Sequence, residues 1–466
     1  MGNHPSARKN RCLCRSKAPL INLSTGRFDS NPLNALLAIG LVNDLMPGVP
    51  RGFADTLNLF APRLGFAYDL TGDGKTSLRG GAGVFYERLR QNNFNFGAGG
   101  RFPSAITSSV GPGLVTDIRT ITSTAAPTSV APPGYNTFPQ NNTMPHIYSW
   151  NLGIQRELKA GFTLDLSYMG NAGNYLMVQR AINGLPAGYF QQNPNASQSV
   201  NYRNDALRQY YGFGGLTAVE TSGLSEYSGF LARLSRRFSN SFSMNLNYTW
   251  SKAFGETDTD DGNISDPFCR HCNWAPQGYD RTHVFVVDYI YQLPKLSQKL
   301  GGNAVLGGVL DNWQVSGITE FSTGLPTTIN SNGNMYGLDL QSQRAVLIGD
   351  YKAKRAQGIW FDPDAFGRPA DSTWGLGRNS FRLPGVNNWD VVIQKFFPLH
   401  LTEDSKLNFR MEMYNFFNHG QVWTVGTGFG ADAPNSGISA NNRGAFGKPT
   451  GFRDPRTLQL GLKINF

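Results

Sequence analysis

The chain has 466 residues, of which 16% are charged, 12% are aromatic and 54 are glycine; soluble domains usually carry roughly 25% charge, so this one has little with which to coat a water-facing surface. Mean hydropathy is −0.33, and no apolar run reaches the roughly 18 residues that a spanning helix needs, which excludes a helical membrane protein. The net charge of +10 comes from residues scattered along the chain, and the one dense cluster, Arg8, Lys9, Arg11, Arg15 and Lys17, reads as a solvated end, so no nucleic-acid partner is expected.

Residues 1–57 carry no assignable domain. The best apolar stretch there, Leu33 to Val42, contains Asn34 and lies far from the basic cluster, and no small-residue cleavage pattern follows it, which argues against a signal peptide. Cys12 and Cys14 fall in this start and receive no role.

From about residue 62 onward the dominant signal is alternation with a period of two, the signature of strands. Strands are expected near 62–70, 76–86, 147–158, 162–170, 228–238, 241–253, 282–293, 311–323, 388–397, 406–417 and 456–466. In the sixth of these, Phe242, Met244, Leu246, Tyr248 and Trp250 share one face, and Ser243, Asn245, Asn247 and Thr249 share the other. A soluble sandwich would place Lys and Glu on its outward face. These second faces are Ser, Asn, Thr, Gly and Gln with isolated charges, as on the wall of a hydrated lumen.

Most strands run about ten residues, enough for a tilted strand to cross the hydrocarbon layer. Their connections alternate in length. "LTGDGK" at Leu70 to Lys75, "KAG" at Lys159 to Gly161 and "SN" at Ser239 to Asn240 are tight turns. Residues 87–146, 171–227, 254–281, 324–387 and 418–455 are long loops, and 294–310 is an intermediate exception on the short side. A meander built this way collects its turns at one end and its loops at the other, as outer-membrane barrels do with periplasmic turns and extracellular loops. Trp150, Trp250, Trp313 and Trp389, with Tyr86, Tyr168 and Tyr291, fall near strand ends, where interfacial girdles lie. The expected fold is all-β, an antiparallel transmembrane barrel with about eleven strands visible.

The last strand alternates Leu458, Leu460, Leu462, Ile464 and Phe466 against Thr457, Gln459, Gly461, Lys463 and Asn465. A barrel in lipid pairs every strand, so its last strand does not trail away. The apolar series ending in Phe466 resembles the signal by which barrel-assembly machinery recognises its clients.

Seven phrases carry a more specific resemblance: "APRLGFAYDLTGDGKTSLRGGAGVFYE", "YTWSKAF", "YDRTHVFVVDYIYQLP", "NWQVSGITEFSTGLP", "GRNSFRLPGVNNWDVVIQKFFPL", "LNFRMEMYNFFNHGQVW" and "RDPRTLQLGLKINF". In this order they resemble the C-terminal barrel of the Oar-like TonB-dependent receptors, over roughly residues 58–466. The resemblance implies half of a barrel of about 22 strands, localisation in the outer membrane of a Gram-negative-type envelope, and energy-coupled uptake of an unknown substrate. Its partners would be outer-membrane lipid, the assembly machinery and, only where the intact protein has a plug, the TonB energy-coupling complex. No plug, TonB box or regulatory domain fits residues 1–57, so a fragment is expected. A stand-alone structural or adhesive outer-membrane barrel and a secreted soluble carbohydrate-binding protein are the alternatives.

Residues that suggest chemistry are few. Cys269 and Cys272 in "DPFCRHC" form a C-x-x-C in an expected external loop; without further ligands beyond His271, a local disulfide is favoured over zinc, and two free thiols stay open. Glu256, Asp258, Asp260 and Asp261 lack EF-hand spacing and read as a solvated acidic loop. Asp280, Arg281 and His283 at a strand start read as a rim hydrogen-bond network. No catalytic constellation, cofactor site or metal site is expected, and the chain is not expected to be an enzyme.

Overall fold

The computed structural model describes residues 59–87, 143–184, 216–259, 262–265, 269–331, 344–367, 375–399, 405–429 and 445–465, together with 21–22, 27–28, 135–137, 208, 210 and 267. Cys12, Cys14, Asp260, Asp261 and Phe466 lie outside the described residues.

Eleven strands follow one another in chain order across a single antiparallel sheet. They are β1 (Arg63–Asp69), β2 (Thr76–Tyr86), β3 (His146–Glu157), β4 (Phe162–Ala181), β5 (Leu216–Ser239), β6 (Phe242–Gly255), β7 (His283–Gln292), β8 (Trp313–Ser322), β9 (Val386–Pro398), β10 (Lys406–Tyr414) and β11 (Thr457–Asn465). Each expected strand is present, and the alternation of turns and loops holds. In the β1–β2 turn the Asp69 carboxylate accepts the backbone N–H groups of Thr71, Gly72 and Gly74 at 3.2, 3.1 and 2.8 Å, while Gly72 and Gly74 take the positive φ angles of 68° and 74° that close it.

Register turns the sequence alternation into two continuous surfaces. Leu78, Ile154, Leu166, Ala232, Tyr248, Phe285 and Phe321 stand side by side across β2 to β8. One row nearer the turns, Leu164, Leu234, Leu246 and Val287 do the same, and Val315, Ile393, Met411 and Leu460 continue the surface to β11. The opposite face carries the row Ser77, Gln155, Asp165, Arg233 and Asn247. There the Asn245 amide donates to the Asp288 carboxylate on the neighbouring strand at 2.9 Å. That face also carries apolar side chains, Phe85, Ile147, Met169, Leu231, Val286, Ile290, Ile318 and Val392 among them.

The apolar face is bounded by aromatics. Phe242, Tyr291 and Trp313 lie at its turn end; Trp150, Tyr168, Phe230 and Trp250 lie at its loop end. Phe242 and Trp250 are eight positions apart on β6, roughly 26 Å of strand and, at a tilt near 40°, roughly 20 Å of depth, close to the apolar band of a transmembrane barrel. The Trp150 ring lies flat over Gly170 on the adjacent strand, where an added Cβ would come within 2.6 Å of it. The large apolar side chains of the inner strands, among them Leu164, Leu166, Leu234, Leu246 and Ile393, are half-buried by their neighbours across the sheet, and those of the edge strands are exposed, Leu462 at 70%. Such a surface has hydrocarbon as its solvent rather than water.

Two strands exceed expectation. The loop expected at 171–227 is strand at both ends, because β4 runs to Ala181 and β5 begins at Leu216. The strand expected to end at residue 170 runs on through "NAGN" at 171–174 to a β-bulge between Gly173 and Leu176, with Tyr175 at φ 56°. Beyond it, Met177, Val178, Leu216, Ala218 and Val219 are buried, so this hairpin stands above the aromatic rim with apolar cover of its own.

The sheet is open. Among the described residues β1 pairs only with β2 and β11 only with β10. Both edge strands run from the loop end toward the turn end, so pairing them directly would make a parallel contact.

Leu246→Arg should cost about 2 to 4 kcal/mol of folding stability in lipid if Leu246 lies near the bilayer midplane, and Asn245→Arg, on the opposite face, much less. A folding titration in vesicles measures both, and equal losses would reverse the assigned faces.

Candidate functional site

The long connections gather at the loop end and build a buried apolar cluster. Ile329, Ala345, Phe361, Ala365, Phe366, Phe381, Val425 and Phe446 form it. The Phe366 ring meets Phe361, Phe381 and Phe446 edge-on at centroid distances of 6.4, 5.3 and 5.5 Å, the arrangement that ring quadrupoles favour. Short pairings hold the backbone around it: Pro326–Thr327 with Phe381–Arg382, Val346–Leu347 with Phe366–Gly367, and Val422–Val425 with Pro449–Phe452.

Beside this cluster the loops are joined by arginine–carboxylate clamps. On the raised β4–β5 hairpin, the Arg180 guanidinium donates to both Glu220 carboxylate oxygens at 3.0 and 2.9 Å. Arg270, from the 256–282 loop, donates to Glu220 at 3.2 Å and to Glu256 at 3.0 Å, and also to Ser222. Burial opposes ionisation of Glu220, but the hydrogen bonds and charge of Arg180, with Ser222 and Arg270, hold its carboxyl below the usual glutamate range. The same hydrogen bonds raise the Arg180 pKa.

A second group of clamps crosses between loops. Arg378 pairs with Asp258 and donates to the Gly255 carbonyl, while the Asn379 amide reaches Asp258 at 3.1 Å and the Pro276 carbonyl at 2.8 Å. Arg382 pairs with Asp280 and donates to the carbonyls of Asp280 and Gly324 at 3.1 and 3.0 Å. Asp280 also accepts the Ala253 backbone N–H at 2.8 Å. Removing Asp258 or Arg382 would leave the buried Arg378 or Asp280 without its charge partner, so these contacts fix the loops strongly.

This arrangement revises one expectation. The acidic stretch is solvated only in part where it is described: Glu256 is buried against Arg270, whereas Asp258 stays exposed while engaged by Arg378 and Asn379. Asp280, Arg281 and His283 diverge instead of converging. Arg281 donates to Ser322 and to the Thr323 carbonyl at 3.0 and 2.8 Å, and His283 Nδ1 lies 2.9 Å from the Tyr248 hydroxyl.

Cys269 and Cys272 are joined by a disulfide around the short helical turn His271–Asn273. With both sulfurs so engaged they offer no thiolate to a metal, and no group of metal-holding side chains occurs among the described residues. The staple sets the backbone from which Arg270 reaches Glu220 and Glu256. Leu458, Leu460, Leu462 and Ile464 lie exposed on the apolar face of the β11 edge strand.

On the polar face a shallow concavity of about 410 Å³ is lined by Arg79, Asn151, Gln155, Asp165, Ser167 and Asn171 among others. Both charge signs and several amides line it, which suits a hydrated wall that touches polar solutes weakly and at many points. Sequence reading missed Arg180, Glu220, Arg270, Arg378 and Arg382. The last two stand in "GRNSFRLPG", where four positions separate the arginines, but their partners are more than 100 residues away.

The family described as "Outer membrane beta barrel domain" matches residues 22–459, a span that begins inside the stretch left unassigned by sequence. No curated protein matches the chain. Among solved structures, the outer membrane transporter YddB from Escherichia coli is similar at 10% identity and a TM-score of 0.45, over 86% of this chain and 40% of that one. The ferric-catecholate import receptor Fiu from E. coli is similar at 11% identity and 0.38, over 85% and 34%. The ferripyoverdine receptor of Pseudomonas aeruginosa is similar at 10% identity and 0.39, over 86% and 32%. The chain thus spans two fifths or less of each of these proteins.

Because the folded-state pKa of Glu220 lies below its unfolded value, its contribution to the loop cap is present above the ordinary glutamate range and is lost as pH falls through the folded value. In the membrane-inserted protein, loop cleavage by an acid-active protease should therefore rise below about pH 4. Arg180→Ala should bring the same cleavage on at neutral pH. Unchanged protection in both cases would remove the clamp from the account.

Proposed function

The chain belongs to the outer-membrane β-barrel domain family and resides in the outer membrane; from this premise we propose that it is the C-terminal half of the barrel of an Oar-like TonB-dependent receptor. The soluble carbohydrate-binding alternative is set aside by that membership. The observation that carries the proposal is the open antiparallel meander, whose two edge strands point the same way and each lack a second partner among the described residues. Hydrocarbon offers no hydrogen bonds to a free edge, so further strands have to complete the wall.

In this reading the polar face lines half of a passage, the clamped loops form the external surface that first meets a substrate, and a plug encoded elsewhere in the protein supplies the gate and the contact with the TonB complex. Residues 58–466 form the barrel segment, and residues 1–57 stay without a role. The Cys269–Cys272 disulfide braces an external loop, which accords with an oxidising exterior. The apolar edge formed by Leu458, Leu460, Leu462 and Ile464 is the surface that the barrel-assembly machinery engages. The role is transport, with no catalytic step assigned to any residue.

The test is the coding sequence immediately upstream of Met1, read in all three frames. A plug followed by about eleven further alternating strands is the expected result for a barrel of about 22. Unrelated sequence there would make a smaller autonomous barrel the better reading and remove the support for coupled transport.

A further inference from the structure

The connection between β7 and β8 is the one on the turn side that is not tight. Its sequence, "LPKLSQKLGGNAVLGGVLDN", folds as a short 3-10 turn, Leu296–Leu300, and a helix α1, Ala304–Leu310. Gly301 and Gly302, at φ 97° and 69°, reverse the chain between them, and the Asn303 side chain caps α1 by accepting the Leu306 N–H at 2.7 Å. Asp311 closes the unit by accepting from both the backbone N–H and the hydroxyl of Ser297.

The unit is tied to the apolar side of the wall. Trp313, whose side chain belongs to the apolar surface, donates its indole N–H to the Val309 carbonyl at 2.8 Å. Lys395 faces Trp313 across the β8–β9 register and is 3% exposed. Its ammonium donates to the Asp311 carbonyl and lies 5.1 Å from the Trp313 ring and 5.0 Å from the Phe397 ring. A lysine at the edge of a lipid-facing row is thus roofed by the turn that packs over it.

What this unit turns outward is apolar. Leu300, Val305 and Val309 are 62%, 77% and 60% exposed, and Val305 and Val309, four apart, lie on one face of α1. Leu306 and Leu310 are half-buried. The set is more exposed than the half-buried lipid-facing residues of the neighbouring strands and adjoins their surface through Trp313. Lys295 and Lys299 flank it and are exposed.

We propose that residues 295–310 form an interfacial anchor in the periplasmic leaflet of the outer membrane. Leu300, Val305 and Val309 enter the boundary between headgroups and acyl chains, and Lys295 and Lys299 meet anionic phospholipid headgroups. The occupant is the phospholipid leaflet itself. The proposal rests on the membrane location of the strands and stands independently of the receptor reading.

Full-length chain in outer membranes, with Cys12→Ser and Cys14→Ser and a spin label at Val305→Cys or Val309→Cys, provides the test. Collisions with dissolved oxygen should exceed those with a water-soluble nickel chelate, as at Leu462→Cys, and the order should reverse at Asp73→Cys in the β1–β2 turn. Nickel accessibility equal to that of the Asp73 site would overturn the proposal. Exclusion of both reagents would also overturn it, by placing another protein on the helix. In vesicles, adding phosphatidylglycerol should deepen the label, and Lys295→Gln with Lys299→Gln should abolish that dependence; a depth indifferent to phosphatidylglycerol in the unsubstituted background would remove the lysines' role.

Discussion

A polypeptide in hydrocarbon has no water to satisfy its N–H and C=O groups, so every backbone partner has to be supplied by the chain itself. That constraint selects the antiparallel meander here. Neighbouring strands exchange their hydrogen bonds in register, and the side chains are left free to face two different solvents. The apolar rows through Leu246 and Tyr248 and the polar row through Asp165 and Arg233 are consequences of one backbone arrangement. The same constraint makes the two free edges the least stable feature of the sheet and the strongest reason to look for more wall.

The chain also inverts the usual location of a hydrophobic core. Its strands carry their large apolar side chains on the outside, whereas the tightly packed cluster of Phe361, Phe366, Phe381 and Phe446 lies in the loops, in water. Loops long enough to be costly in entropy thereby gain a core of their own. The arginine clamps then fix how the loops meet, since a buried carboxylate tolerates little displacement from its guanidinium. In the receptor reading these braced loops are the surface that first meets a solute.

Much of this was legible in the sequence where the determining pattern is local. Phe242 to Trp250 announce a two-sided strand, and "LTGDGK" announces a turn whose Asp69 and glycines do what such residues do. Local reading failed where it ended a strand at residue 170, because a bulge such as the one after "NAGN" and a loop ask for the same residues and only the pairing partner across the hairpin separates them. It failed again for the clamps: Asp258 and Arg378 are 120 residues apart, and nothing near either one marks the other. Lys395, set among aromatics in an otherwise apolar row, was likewise explicable only once the turn that covers it was placed.

The central claim is that one parity of each strand is immersed in hydrocarbon. It is tested most directly by a photoactivated carbene carried on lipid acyl chains, followed by mapping of the modified residues along β6 in the membrane-inserted protein. Labelling of Phe242, Met244, Leu246, Tyr248 and Trp250, with Ser243, Asn245, Asn247 and Thr249 spared, is the predicted result. Equal labelling of both sets, or labelling of neither, would contradict it.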